Sequence, residues 1–152
     1  MRNQIKIFAM AVCITLGAGC ASVPMTTASL DSEAKDFQPQ SGKASIYVNR
    51  KGGFAGGAVI IQLASDGRIP GSVAPGTFLL LSVPPGQHVL MTSGQFENVA
   101  QAKLEVEQGK NYFFDVGLSM GWTFPHVNLR QVSEDEGQKA VNASKRAEAF
   151  TY

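Results

Sequence analysis

Polar and apolar residues alternate along much of the chain between residues 43 and 132. In KASIYVNR, residues 43–50, Ala44, Ile46 and Val48 take one set of positions and Ser45, Tyr47 and Asn49 the other. Successive side chains of a strand point to opposite faces, so a period of two predicts a β-strand. GAVIIQLA, residues 57–64, is rich in β-branched residues and reads the same way. The next four residues, SDGR, contain Asp66-Gly67, a dipeptide favoured in two-residue hairpins. RIPGSV, residues 68–73, returns as a short strand interrupted by Pro70. The turns APG and PPG flank TFLLLSV, residues 77–83. QHVLMTS (87–93), ENVAQAKLEVE (97–107), NYFFDVGL (111–118) and FPHVNLRQV (124–132) complete the series.

About seven to eight short strands, punctuated by Gly and Pro, predict a mainly β chain folded as an antiparallel β-sandwich. Phe113 and Phe114 are neighbours on one strand and point to opposite faces, so one is expected in the core and the other outside it. The last segment changes character. Ser133 and Glu136 have the spacing of a capping box, and Glu134, Asp135 and Glu136 place negative charge in a first helical turn. Val141, Ala143, Ala147 and Phe150 form a weak apolar stripe, so one C-terminal helix is expected.

The start of the chain follows a different pattern. Arg2 and Lys6 precede an uncharged apolar run, residues 7–19, and no acid occurs before Asp31. A membrane span needs about 20 apolar residues. This run is shorter and matches the apolar stretch of a secretory signal, about 7–15 residues. Leu16, Gly17, Ala18, Gly19 and Cys20 close it. The sequence LGAGC resembles the lipobox of bacterial lipoproteins, with Leu16 four places before the cysteine rather than three. The resemblance implies cleavage before Cys20 and lipid on its thiol. Ordinary secretion after Gly19 and an uncleaved anchor are the alternatives. Cleavage would remove Cys13 and leave Cys20 as the one cysteine of the mature chain. Ala21 and Ser22 follow it, not Asp, which in sorted lipoproteins implies the outer membrane, facing the periplasm.

The expected organisation is a signal peptide over 1–19, a lipidated N-terminus and flexible tether over 20–40, and the β-sandwich with its helix over 41–152. The segment 21–40 is rich in Ser, Thr, Ala and Pro without a sustained period; a flexible chain of that length spans roughly 25 Å. The full chain of 152 residues carries a net charge of +1, and removal of Arg2 and Lys6 leaves 11 basic against 12 acidic residues. A nearly neutral domain without a basic cluster lacks the footprint of a nucleic-acid binder.

Several motifs together are similar to a bacterial family, domain of unknown function 2846. They are Tyr47-x-x-Arg50 at the end of the first strand, a glycine-bearing loop, the Asp66-Gly67 hairpin, GTFLLLSVPPGQH (76–88) and EVEQGKNYFFDVG (105–117). The PPG-x-H ending is shared with prealbumin-like sandwich domains. The resemblance implies a lipid-anchored sandwich of that kind and transfers no catalytic residue.

Candidate chemistry is sparse. GLSMG, residues 117–121, matches the G-x-S-x-G of serine hydrolases, but that elbow needs a following helix, and WTFPHV offers aromatics and Pro125 instead. A glycine-lined strand end is the favoured reading. His88 and His126 are the two histidines; a zinc site would need carboxylates beside them, and His88 reads as a hydrogen-bonded edge residue. No cofactor or metal is expected, and no catalysis. RKGGFAGGA, residues 50–58, surrounds Phe54 with glycines and lacks the Lys and helix of a phosphate loop. Phe54, Trp122 and Phe124 are the candidate contact surface, because loops that follow strands expose aromatics. The strands ahead of them, ending at Arg50 and Val116, are expected at one rim. For Trp122, a plug at the end of the core is the competing role. The expected function is a non-catalytic interaction or structural module touching the membrane through its lipid and another envelope protein or the cell wall. The alternative is a binder of a small ligand, glycan or peptide.

Overall fold

A computed structural model describes residues 22–53, 59–93, 99–120 and 125–150. The described residues hold nine strands in two sheets and two helices. In chain order these are α1 (Ala28–Ala34), β1 (Ala44–Arg50), β2 (Ile61–Ser65), β3 (Arg68–Val73), β4 (Thr77–Val83), β5 (Gly86–Ser93), β6 (Val99–Val106), β7 (Asn111–Met120), β8 (Pro125–Val132), α2 (Glu134–Asn142) and β9 (Lys145–Arg146). One sheet has the order β8-β7-β1-β4-β9 and the other β3-β2-β5-β6.

The turns explain the division. Asp66 and Gly67 both have positive φ, 50° and 78°, which a tight two-residue hairpin between twisted strands demands. This turn keeps β2 and β3 in one sheet. The APG and PPG turns instead carry the chain from one sheet to the other, because β4 belongs to the five-stranded sheet and its neighbours β3 and β5 to the four-stranded one. Thr77 Oγ1 locks the first of these corners by donating to the Ala74 carbonyl at 2.8 Å and accepting the Ala74 N–H at 2.9 Å. Pro70 lies in β3, an edge strand, where its missing N–H removes no ladder bond.

The sheets are not wholly antiparallel. β1 pairs parallel with β7, and β4 parallel with β9. Parallel neighbours require a long crossover, and β2 to β6 supply it between β1 and β7. The main core draws on both sheets: Ile46, Leu79 and Phe114 from one, Ile61, Leu63 and Leu90 from the other. A second cluster lies on the five-stranded sheet, where Tyr47, Phe78 and Phe113 meet Ala34 of α1 and Val141 of α2. Tyr47 stacks on Phe113 at 5.0 Å between ring centres, and its hydroxyl donates to the Ala34 carbonyl at 2.9 Å. Burial pushes that phenol up to about 12.

Two expectations are corrected by this packing. Phe113 and Phe114 do face opposite ways, but both are 2% exposed, one in each cluster. All seven residues of β1 are buried, because both faces of this central strand are covered. Residues 22–40 do not form a flexible tether. Val23 is buried, α1 is capped by Thr27, and Asp31 accepts the Arg146 N–H at 2.6 Å. Lys35 Nζ donates to Asp31 at 2.7 Å and to the Ser144 carbonyl at 2.8 Å. The partners at 144 and 146 lie more than a hundred residues away, so no local pattern announces them.

The C-terminal helix is present with its cap: Ser133 Oγ accepts the Glu136 N–H at 3.3 Å. Its buried face is Gly137, Ala140 and Val141, of which the expected stripe contained Val141 alone. Ala143 caps the helix, and Ala147 and Phe150 lie beyond it.

Candidate functional site

Cys20, Phe54, Trp122 and Phe124 lie outside the described residues. What the fold does place is the end of each strand ahead of the three aromatics. The parallel pairing sets Asn49 beside Asp115, so β1 and β7 run towards the same rim, and β7 continues past Val116 to Met120. The expectation of a shared direction therefore holds for the strands themselves.

At that rim the paired positions assemble a charge network. Asp115 is opposite Asn49 on one side and Arg130 of β8 on the other. Residues paired across neighbouring strands share a face, so three polar side chains converge. Asn49 Nδ2 donates to Asp115 Oδ1 at 3.5 Å. Lys51 Nζ pairs with Asp115 at 2.8 Å and with Glu136 of α2 at 3.3 Å. Arg130 pairs with the same two carboxylates at 3.6 and 2.9 Å. The carboxylates raise Lys51 and Arg130 above their ordinary values, and the two cations hold Glu136 below the usual carboxylate range. Arg50 is on the opposite face, 4% exposed, and donates from Nη1 to the Val59 carbonyl; burial lowers its guanidinium. A shallow cavity of about 200 Å³ opens among Arg50, Lys51, Asp115, Asn128 and Arg130.

The G-x-S-x-G segment runs along this strand end. A Cβ on Gly117 would come within 2.8 Å of Asn128 Oδ1, so the glycine makes room for its cross-strand neighbour. Ser119 is opposite His126, but its hydroxyl donates to the His126 carbonyl at 3.5 Å rather than to the ring. β8 follows, where a hydrolase elbow has a helix.

A second polar group sits at a larger groove. His88 is buried in β5, an interior strand between β2 and β6, and is not the edge residue that its place after the turn suggests. Its Nδ1 lies 2.6 Å from Asp66 Oδ2 and its Nε2 2.9 Å from the Pro84 carbonyl. Asp66 Oδ1 accepts the Val89 N–H at 2.9 Å. Burial pushes the Asp66 carboxyl up, but the bonds from His88 and Val89 outweigh it and hold the group below its ordinary value. The Asp-Gly signal for a hairpin thus also supplies the partner of a buried histidine, 22 residues on. The groove, about 520 Å³, is lined by Lys43, Arg68 and Arg146 as well as Asp66, Leu80 and Phe150. Lys43 and Arg68 make no ion pair with the described residues. Arg146 Nη1 donates to the Leu30 carbonyl at 3.0 Å, while its Nε is buried without a partner. The groove suits an anionic or polar ligand. Among the described residues no group of three or more His, Cys, Asp or Glu could hold a metal ion.

A family described as "Protein of unknown function (DUF2846)" matches residues 40–128, which include β1 to β7 and the charged residues of the rim up to Asp115. The chain belongs to this family. It is also similar to an uncharacterized protein of Haemophilus influenzae, 34% identical over 126 residues, spanning 82% of this chain and 74% of the relative. The two turns that divide the sheets, at residues 74–76 and 84–86, lie within the matched span.

Proposed function

We propose that this chain is a lipid-anchored protein of the cell envelope, lipidated on Cys20 and acting as a non-catalytic interaction module on a prealbumin-like β-sandwich. The location follows from the short apolar leader ending in LGAGC. Among the described residues no helix is long and apolar enough to cross a membrane. The observation that carries the interaction role is the rim. The parallel strands β1 and β7 run in one direction, and five polar side chains gather where they pair with each other and with β8 and α2. Such a cluster gives a partner charge to pair with, which steers and orients an encounter. The partner class is another envelope protein or the cell wall, and the predicted site is the outer membrane facing the periplasm.

The test is in-cell crosslinking of the membrane-bound protein. Lys51→Ala and Trp122→Ala should lose crosslinked partners while the domain stays folded; retention of every partner in both variants overturns the reading. Cys20→Ser should abolish incorporation of a palmitate analogue and membrane association.

The groove supports a second reading, a binder of a small anionic ligand, because Lys43 and Arg68 enter it without ion-pair partners. It differs in outcome: Arg68→Ala would then impair function and Lys51→Ala would not.

A further inference from the structure

Residues 23–26 are packed against the C-terminal tail. Val23 is buried, the Pro24 carbonyl accepts the Glu148 N–H at 2.8 Å, Met25 bridges to Ala147, and the Thr26 N–H donates to the Arg146 carbonyl at 3.1 Å. Three residue steps separate Cys20 from Val23, so their Cα atoms lie within about 11 Å whatever path the chain takes. Acyl chains on Cys20 would be buried in hydrocarbon. The arm formed by residues 23–26 would then stand at the bilayer surface, not at the end of a spacer.

The surroundings of that arm are apolar. Six large apolar side chains among the described residues remain exposed, and four of them lie in this arm, in α1, in the C-terminal tail bonded to it, or in β3, to which that tail bonds in turn. Met25 is part of it, 43% exposed. Leu30, 44% exposed, belongs to the residue whose carbonyl accepts from Arg146. Phe150, 55% exposed, follows Glu148 by two residues and donates its N–H to the Pro70 carbonyl at 2.6 Å. Ile69, 43% exposed, precedes Pro70. Exposed charges of both signs flank these residues, Arg68 and Lys145 together with Glu33, Asp66 and Glu148.

The topology adds direction. β9 and β3 are edge strands of their sheets, linked by the tail that runs from Ala147 to Phe150. β8 and β6 are the other two edges and lie against each other. The apolar residues therefore follow one side of the molecule, and Arg130 of the rim network lies on the opposite edge strand of its sheet.

We infer that Met25, Leu30, Ile69 and Phe150 form a face that docks on the bilayer holding the lipid, which fixes the orientation of the domain. The inference rests on the lipid anchor at Cys20 proposed above. Docking sets the β9 and β3 edge towards the membrane and turns β8 and β6 away from it, so the rim network points into the periplasm for a partner.

The test uses the full chain, purified from membranes and reconstituted into vesicles of phosphatidylethanolamine and phosphatidylglycerol. The mass of the N-terminal peptide reports whether Cys20 carries lipid. The lipidated chain has no other cysteine, so Ile69→Cys, Phe150→Cys and, on the far edge strand β6, Gln101→Cys each accept a single nitroxide label. Labels at 69 and 150 should collide with oxygen and lose collisions with an aqueous nickel chelate, and the label at 101 should show the reverse. If Cys20 is lipidated and the labels at 69 and 150 match the label at 101, the docking face is overturned and the anchor stands. If Cys20 is unmodified, both are overturned.

Discussion

The two faces of the five-stranded sheet bury similar side chains in different ways. One face, with Ile46, Val48, Leu79 and Phe114, meets a second sheet and forms a largely aliphatic core. The other, with Tyr47, Phe78 and Phe113, is covered by two short helices and forms an aromatic one. Both sets come from the same strands, one residue apart. Aliphatic side chains interdigitate across a broad sheet-on-sheet interface. A seven-residue and a nine-residue helix offer little apolar surface, so large rings on the sheet fill the space between and below them. The fold thus has two cores where strand alternation implies one.

That comparison is broken most severely at Phe113 and Phe114. Each truncation to Ala should destabilise the domain by about 3–5 kcal/mol, the range for a large aromatic lost from a packed core. Urea unfolding of the two variants checks it; a small cost at Phe113 would mean that the helix-covered face is not a true core.

Gly137 sharpens the helical side. A Cβ there would sit 2.2 Å from Phe113 Cγ, far inside contact distance. Helix propensity favours Ala over Gly by about 1 kcal/mol. Overpacking costs about 1–3 kcal/mol, and contact this close places the cost at the upper end. Gly137→Ala should therefore lower stability by roughly 1–2 kcal/mol net, with the same measurement. A gain in stability would show that α2 is free to shift.

The margins of the cores differ as well. Asp66 closes the inter-sheet side through His88, and its carboxyl is held below the ordinary 3.8. A carboxyl depressed by folding stabilises the native state above its unfolded value, and that contribution is lost as pH falls through the folded value. Asp66→Asn should therefore be less stable than the parent at neutral pH, with the difference shrinking below the ordinary value of 3.8. Thermal melts across that range follow it. A difference independent of pH would assign the loss to shape alone.

The smallest effect is expected at Glu136, on the margin of the helical side. It pairs with Lys51 and Arg130, all on the surface. Glu136→Gln should leave the melting temperature unchanged within error in moderate salt, since exposed pairs contribute little. A clear drop would show that the rim network holds α2 in place.

Part of this is legible in the sequence. Eight strand segments, the Asp66-Gly67 hairpin and the Ser133 cap follow from local rules, because each depends on residues within a few positions of one another. The helical stripe failed because Ala147 and Phe150 are pinned by Phe78 and Pro70, residues of other strands. The candidate site was less legible. Asn49, Lys51, Asp115, Arg130 and Glu136 are ordinary polar positions in sequence, and only the β1, β7 and β8 pairings gather them. His88 looked like an edge residue because nothing near it shows that β2 and β6 flank its strand.

The sequence by itself determined which segments extend, where the chain turns and where a processing signal is expected, since alternation, turn dipeptides and a short apolar leader act over a handful of residues. Tertiary structure alone decided that APG and PPG change sheets, that β1 and β7 run parallel, that both faces of β1 are covered, and that residues 22–40 pack onto the domain. Each of those depends on contacts between residues tens of positions or more apart. Their free energy comes from burying surfaces against one another, which no local pattern encodes.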